Sequence, residues 1–181
     1  MFKRVLKSLI LAGLGLVLIA APASAQLKWN IGLGLNLPQA DLADDAIANA
    51  KSGFGVRGGA GFGAPMAPIS FRAEAGYDMW KIDGTSESFN MLSFSGDVIY
   101  SLPGVGVKPY ILGGVNWNQL GSTVSGSTSE SGIGFNLGAG LNFALGGMGA
   151  YVEARYVKVN IDNGGTDADV SNIPIMVGVR F

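Results

Sequence analysis

The 181-residue chain contains no cysteine and no histidine. Without cysteine it forms no disulfide and has no thiolate nucleophile. Without histidine it lacks the side chain best suited to proton transfer near neutral pH. Neither charge sign is in excess, with 12 basic and 13 acidic residues and a net charge of −1. No basic surface of the kind nucleic acid requires is expected, and no nucleic-acid partner. After residue 25, no segment approaches the ~20 consecutive apolar residues that a membrane helix needs. The chain is nevertheless 48% hydrophobic, with a mean hydropathy of +0.35. Apolar residues that face lipid, and need not fill a core, resolve this contradiction.

The N-terminus is a separate unit. Lys3, Arg4 and Lys7 precede an apolar run from Leu9 to Ala21, followed by Pro22 and Ala23-Ser24-Ala25. Small residues at Ala23 and Ala25 fit the −3 and −1 positions of a signal-peptidase site, so residues 1–25 read as a cleaved secretory signal. A single membrane anchor is the other reading, because the apolar run falls only a little short of a span. Cleavage removes three basic residues, leaving 9 against 13 acidic and a net charge of −4. Residues 26–181 then form one domain.

Almost everywhere after residue 26 the hydrophobic period is two, which is the strand signal. Leu27, Trp29, Ile31, Leu33, Leu35 and Leu37 alternate with Lys28, Asn30, Gly32, Gly34 and Asn36. Further strands are expected near 53–63, 69–81, 88–101, 107–120, 133–143, 152–156 and 173–181. The fifth has the least regular phase. Ile111, Val115 and Trp117 share one face, while Tyr110 and Leu112 fall with the polar residues, and a bulge would reconcile them. The connections after strands two, four and six are short and contain turn residues such as Pro103-Gly104 and Gly146-Gly147. Those after strands one, three, five and seven are mostly longer and more polar. A helical turn between Leu42 and Ala50 is one option within the first. The expected fold is therefore all-β: an eight-stranded antiparallel up-and-down transmembrane barrel with both termini on the periplasmic side.

The distribution of charge favours a membrane barrel over a soluble one. The less apolar face carries Lys28, Arg57, Arg72, Glu74, Asp78, Asp97, Lys108, Glu153, Arg155 and Arg180 among glycine, serine and asparagine. Facing lipid at mid-membrane, one such charge would cost ~2–4 kcal/mol. Facing a narrow lumen, charges of mixed sign can pair. Trp29, Phe62, Phe71, Tyr100, Phe143 and Phe181 would form an aromatic belt near the turns, with Tyr77, Phe89, Trp117 and Tyr156 in a second belt near the loops. A soluble lipocalin-like barrel with its charged face in water is the alternative.

Two terminal segments, Tyr151-Val152-Glu153-Ala154-Arg155-Tyr156 and Asn172-Ile173-Pro174-Ile175-Met176-Val177-Gly178-Val179-Arg180-Phe181, resemble the end of the small outer-membrane β-barrel domain family, the group of OmpA- and OmpX-like barrels. Pro109-Tyr110 through Val115 and Gly134-Phe135 through Gly140 are similar to it in style. The resemblance spans the whole mature chain. It implies residence in the outer membrane of a Gram-negative cell after export through the periplasm, among outer-membrane lipid and lipopolysaccharide. It also implies that the terminal aromatic, Phe181, is read by the barrel-assembly machinery. Relatives with a peptidoglycan-binding domain carry it after the barrel; the sequence stops at Phe181, and a barrel without that domain is expected.

Candidate sites are few. Enzymes among such barrels generally rely on histidine, and no carboxylate pair stands out, so a non-enzyme is expected, with no cofactor. Gly53-Phe54-Gly55-Val56-Arg57-Gly58 matches the spacing of a dinucleotide-binding loop, but it sits in an alternating strand and does not open a helix. Arg72 with Glu74 and Glu153 with Arg155 stand at i,i+2, each pair on one face of its strand. With Arg57, Asp97 and Arg180 they are the expected polar network of the lumen. That network reads either as an ion gate or as a salt-bridged plug, since eight strands enclose only enough space for side chains. Acidic loops include Asp162, Asp167 and Asp169, which are hard oxygen donors but match no calcium cage; solvated charge or loose bridging to lipopolysaccharide also accounts for them. A monomer with a structural or surface role is expected. A narrow porin and an adhesin acting through its external loops are the rivals.

Overall fold

In the computed structural model, residues 26–40, 51–63, 67–81, 88–122, 130–162 and 167–181 are described. Residues 1–25, with Ala23 and Ala25 of the expected cleavage site, lie outside them. So do the proposed helical turn and most of the loop residues.

Eight strands follow one another: β1 Gln26–Ala40, β2 Gly53–Gly63, β3 Ile69–Lys81, β4 Ser88–Ser101, β5 Val107–Ser122, β6 Glu130–Leu145, β7 Met148–Asp162 and β8 Asp167–Arg180. Each pairs antiparallel with its sequence neighbours, and β1 pairs with β8 to close the barrel. Beyond the last ladder pair, Phe181 and Trp29 exchange two backbone hydrogen bonds of 3.0 and 2.8 Å. Closure satisfies the backbone groups that an open edge would present to lipid.

Register sets the shape. Starting from Lys28, paired residues run through Gly61, Arg72, Asp97, Gly114, Asn136, Val157 and Asn172, and return to β1 at Pro38. One circuit thus climbs ten residues along the first strand, a stagger matching a strand tilt of about 40°. Inward residues at one depth therefore come from different register positions on successive strands.

The outward face is apolar and exposed, from Leu33 at 65% and Phe54 at 71% to the valines and isoleucines of β8. Most polar residues of the other phase are buried inside, while Lys28 and Lys108 near the turns are exposed. This is the inverse of a water-soluble barrel, and it suits lipid. Phe62 stacks on Phe71 at 5.5 Å near the turns, and Phe94 lies 5.9 Å from Trp117 nearer the loops. The chain reverses between Leu145 and Met148 through Gly146-Gly147. Gly146 has φ 61°, a left-handed backbone that glycine adopts without strain.

Three sequence-based expectations change. There is no bulge in β5: its pairing to β4 and β6 is unbroken, and Tyr110 and Leu112 point inward and are buried. The lumen accepts apolar side chains at its ends, so the phase needs no correction. Phe89 is not part of the outer belt; it shares the inward phase of Met91 and Ser93 and packs inside. The strands also extend into expected loops, β5 to Ser122 and β8 from Asp167. Ladder hydrogen bonding uses backbone groups, and polar side chains do not end it.

Candidate functional site

The alternating face of the strands places the charged residues on the inner wall. Arg72 and Glu74 come from β3, Asp97 from β4, and Glu153 and Arg155 from β7. Glycines on the same wall leave room for them. A Cβ on Gly59 would meet Glu74, one on Gly138 would meet Arg155, and one on Gly114 would meet Asp97.

These five residues form one buried network with a repeating pattern, in which each carboxylate touches both guanidiniums and one neutral donor. Glu74 pairs with Arg72 at 3.4 Å and with Arg155, and accepts from Asn30 Nδ2 at 2.6 Å. Glu153 pairs with Arg72 at 3.0 Å and with Arg155, and accepts from the Tyr110 hydroxyl at 2.6 Å. Asp97 pairs with Arg72 at 3.4 Å and Arg155 at 3.2 Å, and accepts from Asn136 Nδ2 at 3.0 Å. The contacts join β1, β3, β4, β5, β6 and β7 across the lumen.

The other two residues of the expected network stand apart. Arg57 pairs with Asp78 at 3.0 Å, and Asn36 Nδ2 donates to the same carboxylate at 2.7 Å. Arg180 lies toward the turn end, half-buried, with its guanidinium 5.1 and 4.8 Å from the ring centres of Tyr110 and Tyr151. It donates to Asn142 Oδ1 at 2.6 Å and to the Tyr110 hydroxyl at 3.4 Å. Arg57, Arg72, Arg155 and Arg180 thus offset Glu74, Asp78, Asp97 and Glu153, and the set is neutral.

Sequence reasoning left Asp78 out of the network and missed its neutral donors. The signals were present: Asp78 has the phase of Arg72 and Glu74, and Tyr110 has the polar phase of β5. The apolar layers within the lumen were also missed. Near the loops, Trp80, Met91, Val157, Val159 and Val170 form a buried cluster against Phe89 and Leu120. Near the turns, Ile99, Tyr110 and Leu112 form a second.

Among the described residues, no three histidine, cysteine, aspartate or glutamate side chains are grouped to hold a metal ion. The side chains of Asp162, Asp167 and Asp169 lie outside the described set. All three carboxylates of the central network already face two guanidiniums, an arrangement suited to filling space and fixing register.

A family model described as the outer membrane protein beta-barrel domain matches residues 9–181. No curated protein matches in sequence. Among solved structures, Neisserial surface protein A is 20% identical, covering 86% of this chain and 97% of its own, with a TM-score of 0.64. A major outer membrane protein from Thermus thermophilus is 16% identical over 87% and 98%, with a TM-score of 0.57. Ail, the attachment invasion locus protein of Yersinia pestis, is 18% identical over 87% and 99%, with a TM-score of 0.52. At these identities the likeness is one of fold. With its closed eight-strand barrel, apolar exterior and filled polar interior, the chain belongs to the outer membrane protein β-barrel domain family and resides in the outer membrane.

Proposed function

We propose that the protein is a monomeric, non-catalytic outer-membrane barrel with a plugged lumen, acting as a structural element and through its external loops. The observation that carries this reading is the central network, in which three carboxylates and two guanidiniums from β3, β4 and β7 pair across the lumen. The absence of histidine and cysteine supports a non-catalytic role. Planar-bilayer recording of the refolded mature chain tests the plug. No stable unitary currents are expected; reproducible unitary currents would overturn it in favour of a narrow porin.

Three further roles belong to this reading. Residues 1–25 are the export signal, so the outer-membrane form should begin at Gln26 by N-terminal sequencing. Phe181, exposed on the outer face, is the recognition residue for the assembly machinery, and deleting it should lower the amount of folded barrel in the outer membrane. The surrounding partners are outer-membrane lipid and lipopolysaccharide.

A further inference from the structure

The charged network is the conspicuous filling of the lumen, but it does not occupy the loop end. Trp80 of β3 is fully buried, and around it lie Met91 of β4, Val157 and Val159 of β7 and Val170 of β8, each no more than 7% exposed. Phe89 and Leu120 pack against them. Register sets several of these residues side by side on neighbouring strands. Trp80 pairs with Phe89, Met91 with Leu120, and Val159 with Val170. Between this layer and the charged network lies a polar one. There Ser95 Oγ, Asn116 Nδ2, Asn118 Oδ1 and both side-chain polar atoms of Asn172 are buried without a protein partner.

We propose that this apolar collar, and not the charged network, is the barrier that closes the lumen to water and ions from the loop side. Asparagine, serine and salt-bridged groups can exchange protein partners for water, so a polar layer is wettable even when it is filled. A constriction lined by branched aliphatic, thioether, phenyl and indole groups offers water a single strong hydrogen-bond donor, the unpartnered Trp80 Nε1–H. It also forces an ion to shed its hydration, the condition under which hydrophobic constrictions close pores. The collar lies on the loop side of the unpartnered asparagines, where such a barrier acts. The inference rests on the closed-lumen reading and adds where the closure lies.

The chain has no cysteine, so single-cysteine reporters carry no background. Asn118→Cys places a thiol beneath the collar, and Ser131→Cys, at an exposed position on β6, is the accessible reference. Both are refolded as the mature chain in phosphatidylcholine vesicles and exposed to a small, charged, membrane-impermeant methanethiosulfonate. Asn118→Cys is expected to react at least roughly a hundredfold more slowly than the reference, and the added change Trp80→Ser to accelerate it by tenfold or more. Heat-dependent mobility on gels confirms that each variant is folded. Met91→Gln, close to the native volume, replaces Trp80→Ser if that variant does not fold. Reaction of Asn118→Cys at the reference rate overturns the proposal. So does acceleration by Glu153→Gln equal to or greater than that produced by opening the collar. Unitary currents from the unmodified protein would instead count against the plugged barrel itself, so the two failures are distinguishable.

Discussion

At the loop end of the lumen, Trp80, Met91, Val157, Val159 and Val170 meet in an apolar layer. At the turn end, Arg180 lies against the rings of Tyr110 and Tyr151, with Ile99 and Leu112 beside them. The first closure depends on shape and on exclusion from water, without directional bonds. The second depends on named partners: a hydroxyl, an amide oxygen and two ring faces. Between them, the central network ties β3, β4 and β7 through charge. A barrel this narrow is therefore filled by three kinds of interaction stacked along its axis. The contrast teaches that the fully buried charges of the inner wall stand where partners of opposite charge come within reach, while the loop end is filled by apolar side chains.

The largest effect is expected where the two ends are held to a common centre. Arg155→Ala removes one of the two cations that serve Glu74, Asp97 and Glu153, leaving three buried carboxylates around Arg72. Such a loss costs about 3–5 kcal/mol, because the remaining charges stay desolvated. Urea unfolding of the barrel in lipid vesicles measures it, and a loss below ~1 kcal/mol would mean that the network is already hydrated. Trp80→Ala tests the loop end alone. Deleting a buried indole should cost about 3 kcal/mol and leave a cavity in the apolar layer. The same unfolding assay should show this loss adding to a turn-end substitution, since separated sites behave independently.

The difference between the ends also explains what could be read in advance. Eight strands and an inverted barrel were legible because period two is a local property of each segment. Arg72 with Glu74 and Glu153 with Arg155 were legible for the same reason. Depth along the barrel was not, because it follows from the stagger, and stagger exists only once strands pair. Trp80 stands beside outward Met79, Met91 beside Leu92, and Val157 beside Tyr156. There both faces are apolar and alternation disappears, so the collar had no periodic signature. At the turn end, inward Tyr110 and Leu112 stood out against the polar phase of β5, which led to the expectation of a bulge. Pairing of Arg57 with Asp78 required the β2–β3 register, which sets Gly55 opposite Asp78 and Arg57 opposite Gly76.

Smaller effects separate the two closures further. A Cβ at Gly140 would run into the Tyr110 ring and the Val152 carbonyl oxygen, so Gly140→Ala must displace the aromatic that anchors the turn end and shift the neighbouring strand. Overpacking of this kind costs about 1–3 kcal/mol. The loss should fall in part in a Tyr110→Leu background, where the ring is gone and the Val152 carbonyl remains, as a double-mutant cycle would show. An unchanged loss, and so no coupling, would indicate that the wall yields instead of the ring.

Arg180→Lys carries the smallest expected effect and the sharpest test of what closes the turn end. It keeps the charge but replaces a planar group, placed against two rings and bonded to Asn142, with a compact ammonium. If the flat geometry of the guanidinium matters, stability should drop by about 1 kcal/mol, because lysine cannot reproduce stacking and fork-like bonding together. If only charge matters, the lysine variant should match the native protein while Arg180→Gln does not. The loop end has no such dependence on one planar group: Trp80→Phe keeps an aromatic ring in an apolar layer, losing volume but no directional partner, since the indole nitrogen has none in the structure. Measured together, the two conservative exchanges distinguish closure by fit from closure by recognition, which is the physical difference between the ends of this lumen.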